Sequence, residues 1–369
     1  MRRYDLDWLR VIVFGLLIFY HIGMLFVPWG FHIKNNVTYQ WFVYPMAFLN
    51  QWRLPILFVI SGMGTYYALS KRSGAQFGWE RIKRLGLPLV FGMLVIVPPQ
   101  VYVERLVNGQ IDLSYFTYWP SQAFIGVYPE GNLSWHHLWF LPYLLVFSLI
   151  LIPLFLIIRK HQDAAFIQWL NAIVSRPWSL YSFIIPLYLV EAFVEPFFPV
   201  THALIDDWFN FTFSLLFFLY GYLLIAVKDQ FWQTVESNRK RLLLCAVLGF
   251  VAWLGLKISF EDSTLIHFTE AFLKVFNLWS WILTCFGWAA HYLNRSSSML
   301  KYCNEAVYPF YILHQTVMMV VAYFVIDWEM NLFVKFTVLL IGTFGGSWVI
   351  YELLIRRWRW VRPFFGLKN

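Results

Sequence analysis

The sequence predicts an all-α integral membrane protein, a polytopic bundle of about ten transmembrane helices with both termini cytoplasmic. Three observations carry this. Of 369 residues, 60% are hydrophobic and only 13% charged, whereas soluble domains run near roughly 45–50% apolar and ~25% charged. Apolar stretches of about 20 residues, the length that spans a bilayer as helix, recur along the whole chain. The cations alternate with them. With the N-terminus inside, the inner segments hold 22 of the 28 Lys and Arg, leaving Lys34, Arg53, Arg105, Lys257, Lys274 and Lys335 outside that pattern. Cytoplasmic loops carry such an excess, and a miscount by one helix would scramble it.

Taken in order, the expected spans are 6–28, 45–70, 84–104, 138–158, 180–198, 209–227, 242–259, 267–291, 304–326 and 332–355. Glu191 and Glu195 interrupt the fifth, and Glu270 the eighth. Pairing with Arg53 or Arg105 and lining of a substrate path are both open for them. The apolar run after Arg10 is too long for the core of a cleavable signal, so the first span is expected to stay as an anchor. The outer segment 105–137 is the longest loop, rich in aromatics and punctuated by Pro120, Pro129 and Gly131. Re-entrant or surface-lying structure there would cap a site from outside. No repeat or second soluble domain is evident, so a single domain, 1–369, is expected.

The net charge of +8 does not indicate nucleic acid, because the cations lie between apolar spans instead of on one soluble face. Cys245, Cys285 and Cys303 fall in or beside spans without metal-ligand spacing, so neither a disulfide framework nor a metal site is expected. Trp29, Trp41, Trp208 and Trp328 sit near span ends and read as interface anchors facing membrane lipids.

Two stretches carry chemistry. The first is the opening span, where ten uncharged residues, Val11 to Tyr20, separate Arg10 from His21. Eleven helical steps of about 100° bring the two onto one face, roughly 16 Å apart along the axis. Asp7 lies near the same line, as an ion-pair or docking partner of Arg10. An imidazole about halfway across the hydrocarbon is costly unless it faces protein or water, which makes His21 a functional candidate. A histidine merely satisfied by a neighbouring helix is the competing reading. The second stretch is the basic loop Lys71–Pro88. Arg81 and Arg84, three apart, point the same way on a helical turn and could grip phosphate with two guanidinium forks. A positive-inside signal touching anionic headgroups is the alternative. No Walker or dinucleotide fingerprint is present.

These residues carry a resemblance. The chain resembles the acyltransferase-3 family of ten-helix membrane acyltransferases in four ordered motifs. They are the opening Asp7-Trp8-Leu9-Arg10, Arg-x10-His (Arg10, His21), Leu54-Pro55-Ile56-Leu57-Phe58-Val59-Ile60-Ser61-Gly62, and Arg-x-x-Arg (Arg81, Arg84). Trp79-Glu80-Arg81-Ile82-Lys83-Arg84-Leu85-Gly86-Leu87-Pro88, His137-Leu138-Trp139-Phe140-Leu141, Tyr308-Pro309-Phe310-Tyr311-Ile312-Leu313-His314 and Tyr351-Glu352 add likeness to its glucan-modifying, periplasmic glucan succinyltransferase branch. The resemblance covers nearly the whole chain. It implies transfer of an acyl group (acetyl, succinyl or similar) from cytoplasmic acyl-CoA to a hydroxyl of an extracytoplasmic carbohydrate or glycolipid at the plasma (inner) membrane. It also implies His21 as catalytic base and Arg81 with Arg84 at the donor.

The chemistry agrees, since a sugar hydroxyl needs a base and histidine is the usual one at neutral pH. His314, at a depth like that of His21, and Arg10 join the catalytic candidates. His137 and Trp139 at the outer mouth of the fourth span, and Ser61 in the second, are substrate-side candidates. For His314 and His137, structural readings stay open beside the functional ones. Ser61 as an acyl-enzyme nucleophile would need a base within ~3 Å, and direct transfer is favoured over it. The competing class is a transporter or flippase of a glycan or lipid-linked substrate. Carriers tend to repeat their halves, and these halves do not correspond.

Overall fold

The computed structural model describes residues 2–368; the two end residues of the expected domain lie outside the described residues. The protein is all-helical, with 76% of its residues in helix and no strand among the described residues. The helices are α1 (Tyr4–Met24), α2 (Val43–Leu69), α3 (Gly74–Val107), α4 (Tyr115–Ser121), α5 (His136–Ile150), α6 (Ile152–Lys160), α7 (Ala165–Val174), α8 (Ser179–Phe197), α9 (Trp208–Ala226), α10 (Lys228–Ser237), α11 (Arg239–Ser259), α12 (Thr264–Tyr292), α13 (Ser298–Val325) and α14 (Leu332–Ile355). Each expected span coincides with one of these or with a bent pair. Seven of them, α1, α3, α8, α9, α11, α13 and α14, are long and apolar enough to cross a membrane. The pair α5 and α6, bent by 48°, makes an eighth. Pro153 explains the bend, because it lacks the N–H that would continue the helix and its ring crowds the preceding turn. The two remaining spans, α2 and α12, have ample length at 27 and 29 residues but are more polar.

The chain divides into two compact units. One holds the chain up to Arg10, Asn50–Glu80 and Tyr143–Leu300. Within it α2 and α9 cross at backbone contact. A Cβ on Gly62 would lie 1.9 Å from the Phe218 carbonyl oxygen, and one on Gly221 would lie 2.0 Å from that of Val59. Only glycine fits either side, which gives Gly62 of the Leu54–Gly62 motif a packing role. Trp279 is fully buried, donates its indole N–H to Leu180 O at 2.9 Å and stacks on Phe183. Asp207 is buried and accepts from the Thr201 and His202 amides (2.9 and 3.1 Å), Asn210 and the Tyr143 hydroxyl. Burial holds His202, in the loop before α9, down to a pKa of about 4, so it stays neutral.

The other unit holds Val11–Leu49, Arg81–Pro142 and from Lys301 onward. Its core joins Ile18, Ile22, Phe26, Met318, Met319 and Ala322 across α1 and α13. Helix α3 shows how sequence writes local structure. Two π turns, Ile82–Gly86 and Gly92–Ile96, break its regular pattern. Each precedes a proline, Pro88 and Pro98, that cannot donate to the carbonyl four residues back. Those carbonyls, of Arg84 and Leu94, take side-chain donors instead. Tyr308 Oη donates to Arg84 O at 3.2 Å, and Trp119 Nε1, from α4, donates to Leu94 O at 3.0 Å.

Five of the six cations outside the positive-inside pattern have the following partners. Lys34 donates to Met24 O and Val27 O, at 2.6 and 2.8 Å, tying the loop after α1 to the end of that helix. Lys335 donates to Asn35, Asn36 and Ile326 O. Arg105 staples the long loop through Asn132, Gln110, Pro129 O and Gly131 O. Lys274 pairs with buried Glu191, and Lys257 with Glu270 at 2.7 Å. The expected partners for these glutamates, Arg53 and Arg105, are thus replaced by lysines on α12 and α11. The first pair joins α8 to α12 and the second lies within the α11–α12 hairpin.

Candidate active site

Helix α1 carries His21 in its last turn, ahead of Pro28, and α13 carries His314 in its middle. The two rings meet: His21 Nδ1 lies 2.7 Å from His314 Nε2, with the rings coplanar to within 5°. His314 is fully buried. Its Nδ1 faces two backbone carbonyls, Tyr311 O at 2.8 Å and Phe310 O at 3.2 Å. Carbonyls only accept, so that nitrogen bears the proton. Nε2 of neutral His314 is then the acceptor, and His21 Nδ1 must donate to it. The lone pair of His21 therefore sits on Nε2. One backbone carbonyl fixes two tautomers in series, as an orienting group does for a catalytic base.

The rest of the α13 motif brackets this pair. Tyr308 binds the Arg84 carbonyl, and Tyr311 donates its hydroxyl to His137 O at 2.7 Å. Ile312 O accepts from His137 Nε2 at 3.0 Å, and Gln100 Nε2 reaches His137 Nδ1 at 3.3 Å. His137, a substrate-side candidate, is buried with both ring nitrogens engaged, and its ring stands edge-on to that of His314 at 5.1 Å. It braces the pair. Gln100 also donates to Thr316 Oγ1 at 2.7 Å and accepts from Gln315. No spacing in the sequence points to Gln100.

The other candidates lie as follows. Arg10, on the same helix as His21, contacts Asp7 at 3.4 Å, while Arg2 holds Asp7 more tightly at 2.7 Å. The expected Asp7–Arg10 pair is present with Arg2 as its stronger member. Arg84 is exposed and Arg81 half-buried, at the start of the first π turn of α3. Beside them the chain end folds back, with Phe364 and Phe365 on Phe91, and Gly366, at φ +65°, against the Tyr308 ring. Trp139 is half-buried at the start of α5. Ser61, in the other unit, gives its hydroxyl to Leu57 O at 2.7 Å, a local helix bond.

Sequence reasoning missed one cluster of this unit. His32 Nδ1 lies 2.7 Å from Glu104 Oε2, Tyr128 Oη donates to Glu104 Oε1 at 2.9 Å, and the His32 and His136 ring centroids are 4.3 Å apart. His32 follows Phe31, which stacks on His21, and His136 precedes His137. The cluster thus adjoins, along two separate segments, residues whose rings touch the histidine pair.

The chain is similar to known proteins over nearly its whole length. The acyltransferase-3 model, described as an acyltransferase domain, matches residues 3–352. The Glucans biosynthesis protein C of Salmonella typhi and that of Salmonella typhimurium are each 24% identical over 366 residues, covering 96% of this chain and 92% of the relative. That of Salmonella agona is 23% identical over 365 residues with the same coverage. No solved structure matches. A polytopic helical chain matched almost end to end by this model is a membrane acyltransferase. It belongs to the acyltransferase-3 family.

Proposed function

We propose that the protein moves an acyl group from cytoplasmic acyl-CoA to a hydroxyl of an extracytoplasmic carbohydrate, with His21 as general base. The observation that carries the base assignment is the relay from Tyr311 O through His314 to His21 Nδ1, which leaves the lone pair on His21 Nε2. The acceptor hydroxyl gives its proton to that nitrogen as its oxygen attacks the thioester carbon. The tetrahedral intermediate then expels the CoA sulfur, which takes the proton from the His21 imidazolium. Charge developing on His21 is stabilised by its bond to His314, itself held by backbone. Such base catalysis contributes ~10²–10⁴-fold.

Arg81 and Arg84 suit the donor phosphates. They sit at the basic end of α3 with Arg84 exposed, and guanidinium forks match phosphate. Arg81, Arg84 and His21 belong to the same unit. The family's names favour a glucan among carbohydrate acceptors, and the charge alternation favours an inner-membrane orientation with both termini cytoplasmic. Ser61's local bond supports direct transfer over an acyl-enzyme.

The test is thermal stabilisation of the purified protein by coenzyme A, with acyl transfer to a glucan measured alongside. Ligand at a hundredfold excess over Kd stabilises by ~2.7 kcal/mol. Wild type and His21→Ala should both be stabilised, and Arg81→Ala with Arg84→Ala should not. Only His21→Ala should keep donor binding while losing transfer. A folded wild type that neither binds coenzyme A nor consumes acyl-CoA would overturn the reading in favour of transport.

A further inference from the structure

We propose that His32, Glu104 and His136 form a binding site for a transition-metal dication, zinc first, with an open coordination position for an oxygen ligand. The donor atoms of these three residues lie within 4.8 Å of one another. Two imidazoles and a carboxylate are a common donor set for zinc and related dications that keep an open position, at bonds of about 2.0–2.2 Å.

The geometry carries more than proximity. His136 Nε2 is shielded from solvent and has no hydrogen-bond partner among the described residues, although its ring lies against His32. A buried imidazole nitrogen without a partner is costly, and a shared cation would supply what it lacks. His136 also holds a left-handed backbone, φ +39°, that non-glycine residues rarely adopt. Its other nitrogen, Nδ1, meets Ser134 Oγ at 3.0 Å, and Glu104 Oε1, the oxygen not bonded to His32, accepts from Tyr128. Partners of this kind hold metal ligands in orientation. The bond now joining His32 Nδ1 to Glu104 Oε2 is one the ion would replace, since both atoms are good donors to it.

With one carboxylate in the set, a dication keeps a net positive charge and favours an oxygen ligand in the remaining position. The cluster is built from the loop after α1, the end of α3 and the start of α5, the side that the proposed function gives to the acceptor. Resting on the acyl-transfer reading, the ion would hold an acceptor oxygen at residues adjoining Phe31 and His137, whose rings touch the histidine pair. The site itself does not depend on that reading.

The experiment uses full-length protein in detergent, stripped with a chelator and titrated with Zn²⁺ alone, with Co²⁺ as a coloured probe. Wild type should take up one zinc per chain and give a cobalt visible spectrum of nitrogen and oxygen ligation. His136→Ala removes the unpartnered nitrogen together with the Ser134 bond and the ring contacts to His32 and Tyr128, and Glu104→Gln keeps the shape and the Tyr128 contact. Each should weaken uptake at least tenfold while the thermal transition stays cooperative. A folded wild type that takes up neither ion would overturn the proposal, as would uptake that both variants leave unchanged. Stoichiometric uptake with acyl transfer unaffected by stripping would keep the site and overturn its acceptor role. Uptake in a protein that transfers no acyl group under any condition would fail the acyl-transfer reading alone.

Discussion

The histidine pair on α1 and α13 and the His32–Glu104–His136 cluster sit side by side in one unit, yet they are built on opposite terms. In the pair, hydrogen bonds run in series from a backbone carbonyl to His21, so tautomer and ring direction are settled by the fold. In the cluster, one nitrogen of His136 is buried and unmatched among the described residues. The difference teaches that a fully partnered imidazole is prepared to move a proton, whereas an orphaned one is prepared to bind something else. Each contrast can be broken by substitution.

The largest effect expected is on the pair. His21→Ala should lower kcat by ~10²–10⁴-fold with stabilisation by coenzyme A unchanged. Removing His314 should act through His21. His314→Leu should cost nearly as much, while His314→Gln, which can still accept from His21 and donate to Tyr311 O, should retain activity to within roughly 10–100-fold. Equal loss in both His314 variants would contradict the relay.

Breaking the buried Glu191–Lys274 pair tests structure instead of chemistry. Lys274→Met leaves a carboxylate buried and should destabilise by about 3–5 kcal/mol, read as a lower thermal midpoint. Replacing both partners with apolar residues should recover most of that. His136→Ala, by contrast, should cost only about 1–2 kcal/mol, because it breaks one neutral hydrogen bond, to Ser134, with its ring contacts and leaves no buried charge behind. The two substitutions together separate a buried group that supports the fold strongly from one that supports it little.

The smallest effect concerns the loop that carries His32. Burial holds Lys34 down to a pKa of about 8, against 10.5 in the unfolded chain. Between those values the unfolded chain binds the extra proton, so this group's contribution to stability rises with pH from 8 towards 10.5. The difference in thermal midpoint between wild type and Lys34→Gln, measured across that window, should follow the same rise. A flat difference would mean that the lysine is not buried as described.

Much of this was written in the sequence. Spans set by apolar length, the prolines that force π turns in α3, and the Arg10–His21 register on α1 all follow from local rules. Local rules act between residues a few positions apart, where helix geometry is fixed. His21 and His314 were each legible as mid-membrane polar groups, one by register and one by depth. Their bond joins residues 293 apart, and no periodicity reaches that far. The same holds for the lysine partners of Glu191 and Glu270.

The sequence by itself determined the class of protein, the helices and the residue types available for chemistry. Tertiary structure decided which of them meet. It gave both ring nitrogens of His137 partners, and it drew His32, Glu104 and His136 together from three distant segments. The reason is physical: composition and hydropathy fix what must leave water, but the satisfaction of each buried polar atom depends on the neighbour that packing brings to it.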